Sequence, residues 1–255
     1  MRFSCAARTD VGVVRSGNED SYLMSSERGL FVVADGMGGH AAGEVASEMA
    51  ARIIAEEFRP ARGMSDEELM SQLVAAIRAA NESIFHRTLS EHDKRGMGTT
   101  ATVLNLLPRR YLIGQVGDSR AYLLRGGVLT QLTKDHSYVQ EQVDAGRLTP
   151  EEARVHPYAN VITRCVGSSS DVVPDIYVGT LDVGDLLLLA SDGLTGMLDD
   201  EDVREIMTSG LNLEDMVDAL IVAANHRGGL DNVTTILVRI EEVAPPTGEM
   251  PVMRG

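Results

Sequence analysis

Three apolar runs in this chain meet an aspartate at one end. LFVVA (30–34) ends on Asp35, LLLLA (186–190) is followed by Ser191 and Asp192, and Asp231 stands just ahead of VTTILV (233–238). Runs of this length are far too short to cross a bilayer, which takes about 18 apolar residues, and they read as strands buried in a core. A carboxylate at the end of a buried strand is costly unless something positive neutralises it, and hard divalent cations bound through oxygen do that well. The pattern constrains fold and chemistry together: buried strands that present acidic ends to a metal centre.

Between these runs the period changes. Residues 3–8 and 30–34 are predicted strands, whereas over 41–58 Val45, Met49 and Ile53 form one helical row and Ala50, Ile54 and Phe58 an adjacent one. A second helix follows Pro60 and Gly63, with Leu69, Leu73, Ile77, Ala80 and Ile84 on one stripe. From Thr99 the segments TTATVLNLL, YLIGQVGD, RAYLLR and VLTQLT read as strands, and Gly126-Gly127 favours a tight primed turn, which predicts an antiparallel meander. Residues 137–165 are polar and helix-leaning, with a capping pattern at Thr149-Pro150-Glu151-Glu152, and are expected to form a surface insertion or flap. Helices are predicted at about 199–208 and 213–226 and a last strand at 232–240. Helix pairs around antiparallel strands imply a layered sandwich with two sheets inside. From Glu241 on, periodicity is lost, and a frayed tail or linker is expected over 241–255.

At 255 residues and 44% apolar content there is ample material for a core, as one large domain or two small ones. A net charge of −15 disfavours nucleic acid and anionic lipid as partners, since both need a basic surface. Cys5 and Cys165 lie far apart and make no metal-binding spacing, so two reduced thiols are expected. The N-terminus lacks the apolar core of a signal peptide, and a cytoplasmic protein with no membrane segment is the expectation.

Asp35-Gly36-Met37-Gly38-Gly39-His40 joins a predicted strand to a helix, where glycines could free a carbonyl such as that of Gly36 to face an ion beside Asp35. Alone this is also an ordinary turn with an aspartate cap, and Asp192-Gly193 and Asp231-Asn232 are each open to the same reading. Together they supply oxygen ligands suited to Mg²⁺ or Mn²⁺. In Arg15-Ser16-Gly17-Asn18-Glu19-Asp20 a guanidinium that could hold phosphate lies near carboxylates, an arrangement equally open to a surface ion pair.

RSGNED (15–20), DGMGGH (35–40), GTTAT (98–102), VGDSRAY (116–122), SDGL (191–194) and DNVTT (231–235), in this order, resemble the successive motifs of the metal-dependent Ser/Thr protein phosphatases of type 2C in their compact bacterial form. The resemblance covers about residues 3–240. It implies an α+β fold, a four-layer αββα sandwich of two antiparallel sheets flanked by helix pairs with a flap, and a 1–240 catalytic domain. It also implies two Mn²⁺ or Mg²⁺ ions bridged by a water or hydroxide that attacks phosphorus in line. Carried over, Asp35 would bridge both ions, the Gly36 carbonyl would bind one, and Asp192 and Asp231 would complete the shell. Asp20 with Glu19 would order metal waters, Arg15 would hold the substrate phosphate, and His40 would be the general acid. Asp118 would bind a third, weaker ion with help from the flap, unless Asp118-Ser119 is simply a hairpin turn. Thr99 and Thr100 could hydrogen-bond near the site but read rather as packing residues, and Asp135-His136-Ser137 and His156-Pro157 resemble flap borders, where His156 could touch substrate though a structural role is the reading preferred for both.

The implied function is hydrolysis of phosphoserine and phosphothreonine in proteins, reversing a cognate Ser/Thr kinase, by a monomer. Rivals are a partner-switching phosphatase acting on an anti-sigma antagonist, a catalytically silent phosphoprotein-binding module, and a two-metal phosphodiesterase for a small nucleotide. Arg15 argues against the first, and the retained Asp35, Asp192 and Asp231 against the second. The acidic balance and the lack of aromatic platforms weigh against nucleic acid as a substrate of the third.

Overall fold

In the computed structural model, described over residues 1–38, 41–60 and 63–244, the apolar runs become strands covered on both faces. β1 (Arg2–Asp10), β2 (Asp20–Ser25) and β3 (Leu30–Met37) lead into α1 (Ala41–Glu57) and α2 (Asp66–Ser90). Next come β4 (Gly98–Thr99), β5 (Ala101–Leu107), β6 (Arg110–Val116), β7 (Arg120–Arg125) and β8 (Val128–Gln131). The short helices α3 (Tyr138–Asp144) and α4 (Pro150–Arg154) precede β9 (Asp175–Thr180) and β10 (Leu186–Ala190). Three further helices, α5 (Asp192–Thr195), α6 (Asp200–Met207) and α7 (Leu213–His226), lead to β11 (Val233–Glu242).

Two antiparallel sheets result, ordered β1-β11-β10-β7-β8 and β2-β3-β5-β6-β9, with β4 pairing β3. Because side chains alternate across a strand, a strand with two apolar faces must sit between two layers. Leu30, Val32 and Ala34 of β3 join Ala46, Ile54, Leu73 and Ile77 of α1 and α2, whereas Phe31 and Val33 meet Leu187, Leu189 and Ile236 between the sheets. On the other side Leu186, Leu188 and Ala190 of β10 pack with Val217 and Leu220 of α7. These three cores make the four-layer αββα sandwich.

The expected helix stripes hold. Leu69, Leu73, Ile77, Ala80 and Ile84 of α2 are all buried, and the helix opens on a capping box between Ser65 and Glu68. Thr149 and Glu152 form the same device at α4, with Pro150 in its first turn. Gly126 and Gly127, at φ +57° and +82°, form the β7–β8 turn.

The expected meander is corrected. β5 and β6 belong to one sheet and β7 and β8 to the other, so the chain changes sheets at Gly117-Asp118-Ser119, which is a crossing and not a hairpin turn. β2 and β9 are edge strands that the periodicity did not reveal, because Tyr22, Met24 and Val178 face solvent and blur the pattern. β3 runs on to Met37, which puts Asp35 and Gly36 inside the strand and not in a turn, and β11 runs to Glu242, where Arg2 pairs with Glu241 and Glu242. Residues 245–255 of the expected tail lie outside the described residues.

Candidate active site

One end of the sandwich gathers the acidic residues. Asp20 opens β2 directly opposite Asp35 on β3, an arrangement of like charges that opposes pairing unless they are neutralised. Asp118 lies at the crossing from β6 to β7, Asp192 opens the short helix after β10, and Asp231 precedes β11. Sheet order brings these five stations, spread over more than 200 residues, to one place.

Local chemistry holds each in position. The Thr100 N–H donates to the Asp35 carbonyl at 2.8 Å, the Thr99 hydroxyl donates to that carbonyl at 2.9 Å, and the Asp35 N–H donates to Thr100 Oγ1 at 2.9 Å. Both threonines, read from the sequence as packing residues, therefore fix the Asp35 backbone. Gly36 has no space for a side chain: a Cβ would lie 2.2 Å from the Gly43 carbonyl and 2.5 Å from that of Glu19. Gly36 N–H donates to the Glu19 carbonyl at 3.1 Å, which anchors the residue next to Asp20. At Gly193 a Cβ would sit 1.9 Å from the Asn232 carbonyl, so the glycine after Asp192 lets the Asp231 loop approach.

Asn232 is the residue the sequence reading missed. It is buried, donates through Nδ2 to the carbonyls of Val11 and Gly17 at 2.8 and 2.9 Å, and accepts the Glu19 N–H at 2.7 Å. One amide thus ties the loop bearing Arg15, Glu19 and Asp20 to the loop bearing Asp231. Arg15 Nη2 donates to Asp231 Oδ2 at 2.7 Å, so the guanidinium is delivered to the cluster. His40 lies outside the described residues.

Electrostatics set this end apart. Burial pushes the Asp35 carboxyl well above the usual range, and the fields of Asp20, Asp192 and Asp118 push it further. Asp118 is raised in the same way by burial and by Asp192 and Asp135, and Asp192 by burial and Asp231. Burial lifts Asp20 to about 7 despite hydrogen bonds from Thr234 and Ser191, the latter at 2.8 Å. Asp118 Oδ1 is buried and has no hydrogen-bond partner among the described residues.

These features fit a divalent cation. Carboxylates that resist ionisation next to one another, one oxygen orphaned, and a donor set of oxygen alone suit Mg²⁺ or Mn²⁺. Among the described residues no three His, Cys, Asp or Glu side chains are already grouped as a cage for an ion. Cys5 and Cys165 are both free thiols.

Beside the cluster, the 137–165 segment is anchored at its base by His136. Its Nδ1 accepts the Gly117 N–H at 3.0 Å, its own N–H donates to the Gly117 carbonyl at 2.9 Å, and its Nε2 lies 3.2 Å from Asp175 Oδ2. Burial lowers its pKa and so favours a neutral ring, with Nδ1 accepting from Gly117 and Nε2 lying between Asp175 Oδ2 and Arg164 Nη1, the latter at 3.0 Å. Arg120 and Asp135 form a bidentate pair next to it, at 2.7–3.0 Å.

Known proteins share this fold. The protein phosphatase 2C family profile matches residues 14–233. Protein phosphatase PhpP of Streptococcus pneumoniae is 40% identical over 237 residues, 92% of this chain and 96% of its own length. The crystal structure of the Mycobacterium tuberculosis serine/threonine phosphatase PstP/Ppp superposes with a TM-score of 0.88 at 41% identity, covering 94% of this chain and 99% of that one. The PstP catalytic domain in complex with two manganese ions superposes at 0.83 with 39% identity, over 94% and 99% of the two chains.

Proposed function

This chain belongs to the protein phosphatase 2C family, and from that footing we propose that its acidic end is the dinuclear metal site of a protein-serine/threonine phosphatase. The enzyme is a phosphatase of phosphoserine and phosphothreonine in proteins, and the related PstP structure contains two manganese ions. The observation that carries the site assignment is geometric: Asp20 and Asp35 lie directly opposite on neighbouring strands, a buried Asp118 oxygen has no partner among the described residues, and Asp192 and Asp231 flank strand ends beside them.

Asp35, Asp192, Asp231 and the Gly36 carbonyl would hold two Mn²⁺ or Mg²⁺ ions, and Asp118 a third, weaker one. When bound, the ions supply a nucleophile at neutral pH and positive charge for the phosphoryl oxygens. The chain's own groups do the rest. Arg15, brought to the cluster by Asp231, is placed to grip two phosphate oxygens with its planar fork. Asp20, buried and held by the Ser191 hydroxyl, and Glu19 would orient water around the ions. His40 is assigned the proton that the departing seryl or threonyl oxygen needs. We place the enzyme in the cytoplasm as a monomer opposing a Ser/Thr kinase. Among the described residues no helix is long and apolar enough to cross a membrane.

The test is calorimetric titration of the metal-stripped protein with Mn²⁺, in parallel with phosphopeptide hydrolysis. Wild type should bind at least two ions and hydrolyse the peptide only when loaded. Asp192→Asn should lose both properties, and full turnover in a chelator would refute the site assignment.

A further inference from the structure

Immediately before Arg15 the chain exposes Val13 and Val14, 67% and 63% accessible, and immediately before Asp231 it exposes Leu230, 57% accessible. These side chains are not on floppy loops. The N–H groups of Val13 and Val14 both donate to the Gly229 carbonyl, at 2.8 and 3.3 Å. Gly229 sits at φ +50°, and a Cβ there would meet Val13 Cγ2 at 2.7 Å. Gly12, at φ +81°, would carry a Cβ 2.3 Å from the Asp231 carbonyl. Two glycines are therefore needed for the loops to lie this close. Asn232 locks the base through Val11 and Gly17.

The consequence is a preformed apolar platform fixed to the site on two sides. Arg15 and Asp231, 2.7 Å apart, each follow a platform residue in the chain. Isolated exposed aliphatic residues need no explanation, but these three lie on two loops that backbone hydrogen bonds hold together, next to Arg15 and Asp231 in the chain. We propose that Val13, Val14 and Leu230 form a specificity subsite for an aliphatic side chain of the phosphoprotein substrate, close in sequence to the phosphorylated residue. The occupant follows from continuity with the site: a polypeptide whose phosphate is held at Arg15 must lay its neighbouring residues across the adjoining loops. An extended chain advances about 3.3 Å per residue, which places the recognised side chain within roughly three positions of the phosphoresidue. This proposal rests on the assignment of Arg15 as the phosphate-holding residue.

The experiment uses the full chain saturated with Mn²⁺ and a set of phosphothreonine peptides, with no charged side chain besides the phosphate, in which one leucine is moved from three positions before to three after the phosphoresidue, against an all-serine parent. Wild type should show about tenfold higher kcat/KM at one or two leucine positions, carried mostly by KM, the order expected for one apolar group in a pocket. Val13→Ser/Val14→Ser and Leu230→Ser should bring that ratio close to one, and Leu230→Met should retain it. Far-ultraviolet circular dichroism and melting temperature of each variant check that the loops still fold. If wild type hydrolyses all peptides equally well, the subsite is overturned while the phosphatase assignment stands; if no phosphopeptide is hydrolysed, the phosphatase assignment itself fails. A loss on p-nitrophenyl phosphate as large as on the leucine peptides would also overturn the subsite, since the loops would then act only by holding Arg15 and Asp231.

Discussion

β10 has an aspartate at each end, and the two live in opposite circumstances. Asp185, just before the strand, is 1% exposed and is met by Arg125 Nε at 2.8 Å and Nη2 at 2.6 Å, with the Asp182 N–H as a third donor at 2.8 Å. Asp192, just after it, faces Asp35 and Asp231 and is pushed above the usual carboxylate range by burial and by Asp231. At one end of the sandwich the chain supplies its own cation. At the other it assembles carboxylates with too little counter-charge, a cost that folding alone does not justify. The contrast, between a buried carboxylate that the fold neutralises and a group of them that it does not, is visible without reference to any motif.

The largest expected effect breaks the functional end. Asp35→Asn and Asp192→Asn should each lower phosphopeptide turnover by roughly 10³-fold or more, as several kcal/mol of transition-state stabilisation implies. In chelator the same variants should melt no lower than wild type, because each replaces a carboxyl whose ionisation burial opposes with a neutral amide. A variant that loses activity because its metal-free fold collapses would show that these carboxylates are structural after all.

The second prediction concerns pH. A carboxyl whose folded pKa is raised binds more protons in the native than in the unfolded state, so its contribution to stability is present below the unfolded value and lost as pH rises through the folded one. With Asp20 at about 7 and Asp35, Asp118 and Asp192 also raised, metal-free protein should lose a few kcal/mol between about pH 4 and pH 7. Urea unfolding across that range in chelator measures it. Saturating Mn²⁺ should flatten the profile, and a metal-free protein whose stability rises over the window would contradict the crowding of these groups.

Breaking the structural end should do the converse. Arg125→Met strands Asp185 and is expected to cost about 2–3 kcal/mol, less than a fully buried pair because the guanidinium remains partly in water. Turnover per folded molecule should be unchanged. The smallest effect falls at His136, whose Nδ1 accepts the Gly117 N–H and whose Nε2 faces Asp175 and Arg164. His136→Asn keeps an acceptor for the Gly117 N–H and His136→Gln keeps a donor for Asp175, so the Gln variant, which orphans a buried N–H, should be the less stable by about 1 kcal/mol. Equal stabilities would mean that water replaces the lost acceptor.

The sequence by itself determined the elements whose signals are local. Apolar runs marked β3, β10 and β11, four-residue spacing marked α2, the Thr149 and Glu152 pair marked the start of α4, and Gly126-Gly127 marked a hairpin. Ordered motifs were enough to nominate Asp35, Asp192, Asp231 and Arg15. Only the tertiary structure decided what depends on distance between segments. It split the expected meander across two sheets at Asp118, and it set Asp20 opposite Asp35. It also turned Thr99, Thr100 and Asn232 into backbone clamps and gave Asp185 a guanidinium that Asp192 lacks. The physical reason is range. Propensity, capping and periodicity act over a few residues, whereas desolvation and Coulomb fields depend on which strand ends the sheet order brings together.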